Sequence, residues 1–346
     1  MINIKKHIIN HNATITEALI SLNNLSDEAM TLFVTDDNDS MIGTLTDGDI
    51  RRLLINNGSL DDTVASAMKA DFYFINNKKV NVSEIKKRRN SGISLLPLLD
   101  ENRKIKTIYN LKKLNSVLPV DAVLMAGGKG IRLRPLTEKT PKPLLHIGDK
   151  AIIDYNVDSL INNGIQHISV TVNYLKEQIE QHFEPPRNGV QVKCISEPQY
   201  LGTLGSIKFV KAFHNDTVLV MNSDLFTNIN YEEFYLYFKD SDADMSVAVI
   251  PYTVSIPYGI FDVEENLIKG IKEKPSYNYY SNAGIYLIKA KMLELIPANT
   301  FYNATEFIEL LVNKGYKVTR FPLTGYWIDI GKHEDYNKAK ELVKHL

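Results

Sequence analysis

The chain has 346 residues, a length that at roughly 150 residues per domain predicts two domains. Its 40 lysines and arginines against 41 aspartates and glutamates give a formal net charge of -1, so the positive excess that binding to nucleic acid or an acidic membrane requires is missing. With 44% hydrophobic and 23% charged residues, the composition is typical of a soluble globular protein. The single cysteine, Cys194, excludes an intrachain disulfide and a cysteine-based metal cluster, and favours a cytoplasmic location.

Neither a secretory signal nor a membrane span is expected. The first ten residues, MINIKKHIIN, lack the apolar block of a signal peptide. The two longest charge-free runs, residues 159–175 and 245–261, contain Asn-Asn-Gly and two prolines, respectively. A bilayer span needs about 20 consecutive apolar residues, so both runs are interpreted as turn-plus-strand segments.

The first 118 residues contain two similar runs of predicted elements. The spacing of apolar residues predicts the order helix, strand, turn, strand, helix at 16–25, 31–35, 36–40, 41–45 and 49–56. Helix, strand, turn and strand recur at 82–89, 93–99, 100–103 and 104–109. This loose repeat of roughly 50 residues predicts two half-domains that pack against each other.

From residue 119 onward, strands and helices alternate. The apolar run DAVLMA at 121–126 has the character of a buried parallel strand and ends at glycines. Further strands are predicted at 167–172, 190–196 and 217–221, and helices at 152–162, 175–183, 203–213 and 333–346. Alternation of this kind predicts a mostly parallel sheet, in which ligands bind at the carboxyl ends of the strands.

The loop after the first of these strands has the composition of a phosphate-binding loop. It reads Gly-Gly-Lys-Gly-Ile-Arg-Leu-Arg-Pro from Gly127 and continues to Lys142. Three glycines in four positions let backbone N–H groups approach a phosphate, and the basic side chains supply positive charge. The loop is not a dinucleotide-binding motif, because Leu133 stands where a third glycine is needed. It is not a P-loop either, because no Gly-Lys-Ser/Thr follows.

This loop and six later motifs resemble those of the sugar-1-phosphate nucleotidyltransferases. The later motifs, in order, are Glu197-Pro198 with Leu201-Gly202-Thr203, Asn222-Ser223-Asp224, Pro257-Tyr258-Gly259, Glu273-Lys274-Pro275, Asn282-Ala283-Gly284 and Gly325 to Gly331. The resemblance covers about residues 120 to 340. It implies a catalytic domain over 119–346 with a Rossmann-like, GT-A-like mostly parallel α/β sheet.

In this family a sugar-1-phosphate oxygen attacks the α-phosphorus of a nucleoside triphosphate and pyrophosphate leaves. The resemblance implies that Asp224 and Asp329 hold Mg²⁺, an ion that prefers one or two carboxylates plus phosphate oxygens. It assigns catalytic roles to Arg132 and Lys142. The nucleotide contacts are expected from Ala126, Gly127, Gly128, Lys129, Gly130, Glu197, Gly202 and Thr203, and the sugar-phosphate contacts from Glu273, Lys274 and Asn282.

Glu197 is the residue on which the identity of the base can be argued. Uridylyl- and thymidylyltransferases of the family often have glutamine here, whose amide complements the mixed edge of uracil. A carboxylate only accepts hydrogen bonds, which suits the N1–H and N2–H₂ donors of guanine. We therefore expect GTP, with a uridylyl- or cytidylyltransferase as the alternative.

The N-terminal 118 residues resemble a pair of CBS domains (cystathionine-β-synthase type), a tandem α+β arrangement. The resemblance rests on residues 14–18 and on Gly43-Thr44-Leu45-Thr46-Asp47-Gly48-Asp49-Ile50-Arg51. It implies that Thr46 and Asp49 contact an adenine nucleotide. The second half, at 106–110, lacks the Thr-Asp-x-Asp pattern, and a purely dimerising scaffold is an equal alternative. CBS pairs commonly associate, so a homodimer is expected.

A CBS pair ahead of a nucleotidyltransferase is similar to bacterial enzymes that activate an amino-sugar phosphate with GTP for legionaminic acid. That similarity implies glucosamine-1-phosphate as the sugar substrate, with mannose-1-phosphate as the main competitor. A third interpretation is a non-catalytic nucleotide sensor. It is disfavoured because Arg132, Lys142, Asp224 and Asp329 are all present.

Overall fold

The computed structural model describes residues 3–25, 29–76 and 80–346. Backbone contacts divide the chain into two compact units. The first comprises Met1–Pro119 with Asn162–Gly164, and the second comprises Val120–Ile161 with Ile165–Leu346. No helix in the described part of the chain is long and apolar enough to cross a membrane.

The first unit contains two small sheets with the same design. Its elements are β1 (Ile8–Asn10), α1 (Ile15–Asn23), β2 (Thr31–Thr35), β3 (Met41–Thr46), α2 (Asp47–Ile55), α3 (Val64–Ala67), β4 (Ile75–Asn76), α4 (Val82–Asn90), β5 (Leu95–Leu99) and β6 (Ile105–Asn110). In each sheet the first strand pairs in parallel with the second, and the second pairs antiparallel with the third. The predicted internal repeat is thus confirmed, although its period is longer than expected because α3 and its flanking turns intervene.

The two sheets of the first unit share a core. Phe33 and Met41 from the first sheet cluster with Leu95, Leu99 and Ile108 from the second, and all five side chains are buried. Each half also has its own cluster behind its sheet. The expectation that the halves bury faces against each other is therefore correct.

The second unit is built on a seven-stranded sheet. Its elements are β7 (Asp121–Ala126), β8 (His146–Ile147), β9 (Lys150–Ala151), α5 (Ile152–Asn162), β10 (His167–Val172), α6 (Lys176–His182), β11 (Val192–Ser196), β12 (Thr217–Asn222), β13 (Leu225–Thr227), α7 (Tyr231–Asp240), β14 (Met245–Ser255), β15 (Ile260–Glu264), β16 (Leu267–Lys272), β17 (Ser276–Lys289), α8 (Ala304–Asn313), β18 (Val318–Pro322), β19 (Trp327–Asp329) and α9 (His333–Val343). The strand order is β11-β10-β7-β12-β17-β14-β18, and only β17 runs antiparallel to its neighbours. The predicted mostly parallel sheet is confirmed.

The two central parallel strands end at the same edge of this sheet. In β7 every residue except Met125 is buried, and all of β12 is buried except Asn222. Residues of the two strands lie opposite one another up to the pair Met125 and Asn222. The loops that follow β7 and β12 therefore emerge side by side, as expected for the ligand-binding edge of a parallel sheet.

One predicted helix is wrong. In place of a helix over 203–213, the chain forms a short 3-10 helix, Gly205–Phe209, and Val210 is extended. The N–H groups of Leu204 and Gly205 both donate to the carbonyl of Tyr302 at 3.0 Å. These tertiary hydrogen bonds constrain the first turn, and a glycine within it has a low helix propensity.

Beyond the sheet, β14 and β17 continue as a two-stranded ribbon that no third strand flanks. Pairing of β14 with β18 stops at Val249, and pairing of β17 with β12 begins at Ile285. The hairpin of β15 and β16 connects the outer ends of the ribbon. We call residues 250–281, which comprise this ribbon and hairpin, the arm.

Candidate active site

A cavity of about 580 Å³ lies at the carboxyl ends of β7 and β12. Its walls come from the glycine loop, from the loop after β12 and from the end of β19. Eleven of the predicted site residues line it, namely Ala126, Gly127, Gly128, Lys129, Gly130, Arg132, Lys142, Gly202, Thr203, Asp224 and Asp329. Residues as far apart in sequence as Ala126 and Asp329 thus converge on one volume large enough for a small ligand.

The glycine loop is shaped by two close approaches. A Cβ atom on Gly127 would overlap with the carboxylate oxygen Oε1 of Glu197. Gly130 has a φ of 60°, in the left-handed region, and its carbonyl accepts a hydrogen bond of 2.8 Å from the Thr137 hydroxyl. Gly130 favours glycine because of its φ, and a side chain at Gly127 would require the Glu197 carboxylate to move, whereas Gly128 has open space where its side chain would be.

Glu197 lies behind the glycine loop as a buried carboxyl group. It is only 4% exposed, and its Oε2 accepts a hydrogen bond of 3.2 Å from the backbone N–H of Leu201. Burial raises the pKa of Glu197 to about 7, and the single hydrogen bond opposes that rise. The group therefore changes charge close to neutral pH, next to the backbone of Gly127.

The part of the cavity wall formed by Gly202 and Thr203 is held by Asn303, the residue that caps helix α8. Its Oδ1 accepts a hydrogen bond of 3.2 Å from the backbone N–H of Thr203. The Thr203 hydroxyl in turn accepts a hydrogen bond of 3.0 Å from the N–H of Ala304. Gly202 has a φ of 80° and fits against the Tyr302 carbonyl, where a Cβ atom would be 2.7 Å away.

Lys142 and two aspartates form the charged centre of the cavity. The Lys142 ammonium group is an ion-pair partner of Asp224 and lies 3.9 Å from Oδ1 of Asp329. The strand pair β13–β19 brings the two aspartates together, since Leu225 lies opposite Asp329 and the Ile330 N–H donates to the Asp224 carbonyl at 3.1 Å. The pKa of Asp329 is raised overall. Burial is the largest cause and the neighbouring Asp224 adds to it, while Lys142 and Arg132 oppose the rise.

The two aspartates suit a divalent cation. Oδ1 of Asp224 is buried and has no hydrogen-bond partner within the described residues. A buried carboxylate oxygen without a donor is costly unless a cation faces it. Mg²⁺ accepts two carboxylates when phosphate oxygens complete its shell, so Asp224 and Asp329 fit that ion. Within residues 3–25, 29–76 and 80–346, no group of three or more His, Cys, Asp or Glu side chains is placed so that it could hold a metal ion.

Arg132 reaches the cavity from the end of the glycine loop. Its guanidinium group packs against the backbone of Gly331, where a Cβ atom would be 3.3 Å from Nη2. Gly331 directly follows the β19 segment that carries Asp329, so Arg132 and Asp329 are close enough to interact electrostatically. Lys129 is exposed in the same loop, which leaves its charge accessible from solvent.

Asn282 lies in a second, smaller cavity of about 290 Å³ that shares Thr203, Asn222 and Asp329 with the first. Its Nδ2 donates a hydrogen bond of 2.9 Å to the Tyr286 hydroxyl. Its Oδ1 accepts a hydrogen bond of 2.9 Å from the N–H of Gly284. The amide is thereby fixed in orientation beside the main cavity.

Glu273 and Lys274 are not brought into either cavity. Both are exposed in the connection between β16 and β17, on the arm. Lys274 has a φ of 43°, and the Glu273 carboxylate lies beside Gly259. Of the three predicted sugar-phosphate residues, only Asn282 therefore lines the site in this structure.

Asn156 was not predicted from sequence. It lies in α5, is 2% exposed, and its Nδ2 donates a hydrogen bond of 2.8 Å to the Leu225 carbonyl. A longer bond of 3.4 Å reaches the Ser223 carbonyl. Asn156 thus supports the backbone on both sides of Asp224. The sequence did carry a sign of this role, because Asn156 is an amide on the otherwise apolar face of a predicted helix.

Thr46 and Asp49 form the N-terminal cap of α2 in the first unit. The two residues form a capping box, in which each side chain is hydrogen-bonded to the backbone N–H of the other. The Thr46 hydroxyl also donates a hydrogen bond to Asp49 Oδ2 at 2.5 Å. Asp49 also pairs with Arg52 at 2.5 Å and with Lys69 at 3.5 Å. Although burial opposes it, these partners lower the pKa of Asp49. Both residues already have local structural roles.

Residues 121–345 match the family model described as nucleotidyl transferase, and the matched range is well over half of the chain. The chain therefore belongs to the nucleotidyl transferase family. It is 27% identical over 224 residues to mannose-1-phosphate guanylyltransferase catalytic subunit beta of Xenopus tropicalis, covering 62% of each chain. It is also 32% identical over 233 residues to the bifunctional protein GlmU of Methanocaldococcus jannaschii, covering 65% of this chain and 54% of that protein. The chain thus spans less than two thirds of the length of these relatives.

Among solved structures, the chain is similar to HddC from Yersinia pseudotuberculosis complexed with GMP-PN. The sequence identity is 26%, the TM-score is 0.50, and the match covers 64% of this chain and 99% of that one. The matched share is about the size of the second unit. The second unit therefore has a mixed α/β nucleotidyltransferase fold with a mostly parallel central sheet.

Proposed function

We propose that this chain is a sugar-1-phosphate guanylyltransferase. A phosphate oxygen of the sugar-1-phosphate forms a bond to the α-phosphorus of GTP, the bond from that phosphorus to the bridging oxygen breaks, and pyrophosphate leaves. The observation that carries the proposal is the convergence of Lys142, Asp224, Asp329 and the glycine loop on one cavity. Two anionic substrates must meet there, so catalysis rests on positioning and charge neutralisation.

The basic residues have distinct positions for this work. Backbone N–H groups of Gly127 to Gly130 and the Lys129 ammonium group would bind the triphosphate. Arg132 would neutralise charge on the pyrophosphate as it leaves, and Lys142 would orient the phosphates at the reacting centre. The buried Lys142 suits that task because its charge is less screened than that of a surface lysine.

Asp224 and Asp329 would hold Mg²⁺, which the unpartnered Oδ1 of Asp224 supports. When bound, the ion neutralises phosphate charge and polarises phosphorus–oxygen bonds. Lys142 neutralises part of the carboxylate charge through its ion pair with Asp224. The aspartates would hold the cation, and the Lys142 charge between them lowers the repulsion between the two carboxylates.

Glu197 supports GTP as the nucleotide. An ionised carboxylate accepts hydrogen bonds from both N1–H and N2–H₂ of guanine, and Glu197 lies beside Gly127 of the glycine loop. Glu197 is buried behind that loop and does not itself line the cavity in this structure, so contact with the base would require the loop to admit it. The names of the relatives agree, since one is a guanylyltransferase and another was solved with GMP-PN. A uridylyl- or cytidylyltransferase is the alternative.

We propose glucosamine-1-phosphate, for legionaminic acid or surface-glycan synthesis, as the sugar substrate. Mannose-1-phosphate is the alternative, and the name of the relative from Xenopus tropicalis favours it. In either case Asn282 would bind sugar hydroxyls, and Glu273 and Lys274 would bind the sugar and its phosphate once the arm approaches the cavity. The cytoplasmic location inferred from the single cysteine is part of this proposal.

The test is pyrophosphate release with Mg²⁺ and every pairing of GTP, UTP, CTP and dTTP with glucosamine-, mannose- and glucose-1-phosphate. We expect the highest kcat/KM with GTP and glucosamine-1-phosphate, and loss of activity in Asp224→Asn. Preference for UTP would contradict the guanine assignment alone. Background release with all pairs, unchanged by Asp224→Asn, would favour a nucleotide sensor.

For the first unit we propose a CBS pair that binds an adenine nucleotide through Thr46 and Asp49. The duplicated sheets support this assignment. Because Asp49 is already paired with Arg52, ribose binding would require exchange of that partner. Isothermal titration of the full chain with AMP, compared with Thr46→Ala, tests the proposal. Absence of heat in both proteins would favour a purely dimerising scaffold.

A further inference from the structure

Asn222, the last residue of β12, borders both cavities of the second unit. Side chains along a strand alternate between the two faces of the sheet, so Asn222 continues the face of Val218 and Val220. Both valines belong to a core cluster that also contains buried side chains of α8. The row of apolar side chains on this face therefore ends in an amide at the edge of the sheet where ligands are expected.

The position of the Asn222 amide is matched by a glycine in the neighbouring strand. A Cβ atom on Gly284 would be 2.6 Å from Nδ2 of Asn222. Gly284 has a φ of 71°, in the left-handed region that favours glycine. The register of β17 with β14 also shifts here, between Asn282 and Tyr286. This irregularity of β17 leaves room for the Asn222 amide where a side chain would otherwise stand.

The hydrogen-bonding groups of this amide are available to a ligand. Across the residues that the structure describes, no protein group is hydrogen-bonded to the Asn222 side chain. The amide of Asn282 differs, since it is bonded to Tyr286 and Gly284. Asn222 is half-buried, and a polar group in such a place is costly unless solvent or a ligand bonds to it. Its side chain offers one acceptor oxygen and two N–H donors.

The proposed reaction determines which part of the sugar comes close to Asn222. The phosphate must lie near Lys142 and its two aspartates, because its oxygen attacks the α-phosphorus there. The ring hydroxyls are assigned to Asn282 in the smaller cavity. Asp329 borders both cavities, so the phosphate-bearing carbon C1 belongs at their shared border. Among the ring carbons only C2 is bonded to C1, and its substituent is therefore the first amino or hydroxyl group at that border.

We propose that Asn222 is a specificity residue that recognises the C2 substituent of the sugar-1-phosphate. This role rests on the proposed function and adds to it the part of the substrate that the side chain contacts. Oδ1 accepts a hydrogen bond from an amino or hydroxyl group at C2, and Nδ2 donates to a hydroxyl oxygen. A sugar that lacks this substituent leaves the amide without a partner in the complex, so it is a poorer substrate.

The test uses substrates that differ only at C2. 2-Deoxyglucose-1-phosphate is the deoxy counterpart of glucosamine-, glucose- and mannose-1-phosphate alike, so the comparison holds whichever of the three is preferred. With Mg²⁺ and GTP, we expect the natural chain to have a kcat/KM for the deoxy sugar that is lower by on the order of 10-fold to 100-fold. In Asn222→Leu, which approximates the shape of the side chain and removes its hydrogen-bonding groups, the ratio should approach one.

Asn222→Ala is a second variant, which brings no new atom towards Gly284. The matched control is Asn228→Ala, because Asn228 is another amide that packs against a glycine, Gly325, but it lines neither cavity. The control should discriminate at C2 as the natural chain does. A ratio near one in the natural chain, or a ratio that both Asn222 variants leave unchanged, would overturn the specificity role.

Binding without turnover separates this role from the proposed function. The same sugars are titrated calorimetrically into the full chain with Mg²⁺ and a GTP analogue that has a methylene bridge between the α- and β-phosphorus atoms and cannot release pyrophosphate. Discrimination at C2 that is lost in Asn222→Leu supports the role, with or without turnover. Turnover or binding with unchanged discrimination overturns the role and leaves the proposed function standing. If no sugar is bound or turned over, both are overturned.

Discussion

The side-chain amide of Asn156 donates a hydrogen bond of 2.8 Å to the carbonyl oxygen of Leu225, the residue after Asp224. A helix buried under the sheet thereby supports the backbone of the proposed metal-binding loop. The hydrogen bond joins positions 69 residues apart. Its contribution to stability can be separated from its contribution to catalysis.

Asn156→Ala should leave two buried carbonyl oxygens without this donor, at a cost of about 1–3 kcal/mol in the free energy of unfolding. Because the loop then loses a constraint beside Asp224, kcat should fall as well. Thermal unfolding and pyrophosphate-release kinetics measure the two effects. The control is Val157→Ala, a buried neighbour in the same helix, which should lower stability while kcat stays near that of the natural chain. Equal effects of both variants on kcat would contradict the positioning role.

Removal of either carboxylate from the charged centre should abolish metal-dependent turnover. For Asp224→Asn and Asp329→Asn we expect kcat to fall by on the order of 1000-fold, since both groups act on charge at the reacting phosphates. The measurement is a Mg²⁺ titration of activity with and without chelator. Glu334→Gln, an exposed carboxylate paired with Lys338, is the charge-matched control and should be active. Full activity in chelator would exclude the metal assignment.

The affinity for GTP should rise with pH through neutrality. Burial raises the pKa of Glu197 to about 7, and only the ionised form can accept hydrogen bonds with both oxygens from N1–H and N2–H₂ of guanine. If the neutral form does not bind, KM for GTP should fall about tenfold between pH 6 and pH 8. In Glu197→Gln, KM for GTP should lose this dependence on pH. Any dependence that remains reflects the titration of the triphosphate itself.

The same carboxyl group predicts an effect of pH on stability. Its raised pKa favours the neutral form in the folded chain, so its contribution to stability is present at acid pH and is lost as pH rises through about 7. GTP should offset that loss. A melting temperature whose increase with GTP grows from acid to alkaline pH is the expected result, and a pH-independent increase would contradict the guanine contact.

The two neighbouring glycines of the loop should respond differently to alanine. In Gly127→Ala the new Cβ atom overlaps with Glu197, so we expect a loss of more than about 2 kcal/mol of stability. In Gly128→Ala nothing lies near the new atom, so stability should change by less than about 0.5 kcal/mol. Weaker GTP binding by the stable Gly128→Ala protein would show that a phosphate approaches the backbone there. Unchanged binding would mean that it does not.

Tyr286→Phe tests the orientation of the sugar-side amide. Loss of the hydroxyl frees Asn282 Nδ2, so KM for the sugar-1-phosphate should rise several-fold while KM for GTP is unchanged. Tyr235→Phe removes the hydroxyl of another largely buried tyrosine that lines neither cavity, and should alter neither constant. A parallel rise in both KM values in Tyr286→Phe would indicate a general structural role instead.

Two parts of the site, the glycine loop and Asp224, were predictable because local sequence patterns mark them. The glycine loop has a distinctive spacing, and Asp224 directly follows a buried strand. Asn156, Asn303 and Tyr286 act through hydrogen bonds to particular backbone or side-chain groups, for which no short motif exists.

The incorrect helix at 203–213 has a related cause. Its apolar spacing is compatible with a helix, but the carbonyl of Tyr302, about 100 residues away in sequence, takes the hydrogen bonds of Leu204 and Gly205. The parallel sheet was predictable because its strands are nearly continuous apolar runs. The face that each side chain of the hairpin in the arm occupies was not, since it depends on a one-residue bulge between Asp262 and Val263.

The single reversed strand of the central sheet has a mechanical consequence. Strand β17 is 14 residues long and runs from the exposed arm, through Asn282, into the buried core, with a bulge at Gly284, whose φ is 71°. At about 3.4 Å per residue it spans at most roughly 45 Å, and its end from Ile285 to Lys289 is paired within the central sheet. A displacement of the free end would reach Asn282, which lines the smaller cavity, along the same strand. Substitutions at the tip of the arm are thus expected to change the position of Asn282 and, under the proposed function, the choice of sugar. The positions of Asp224 and Asp329 would stay unchanged.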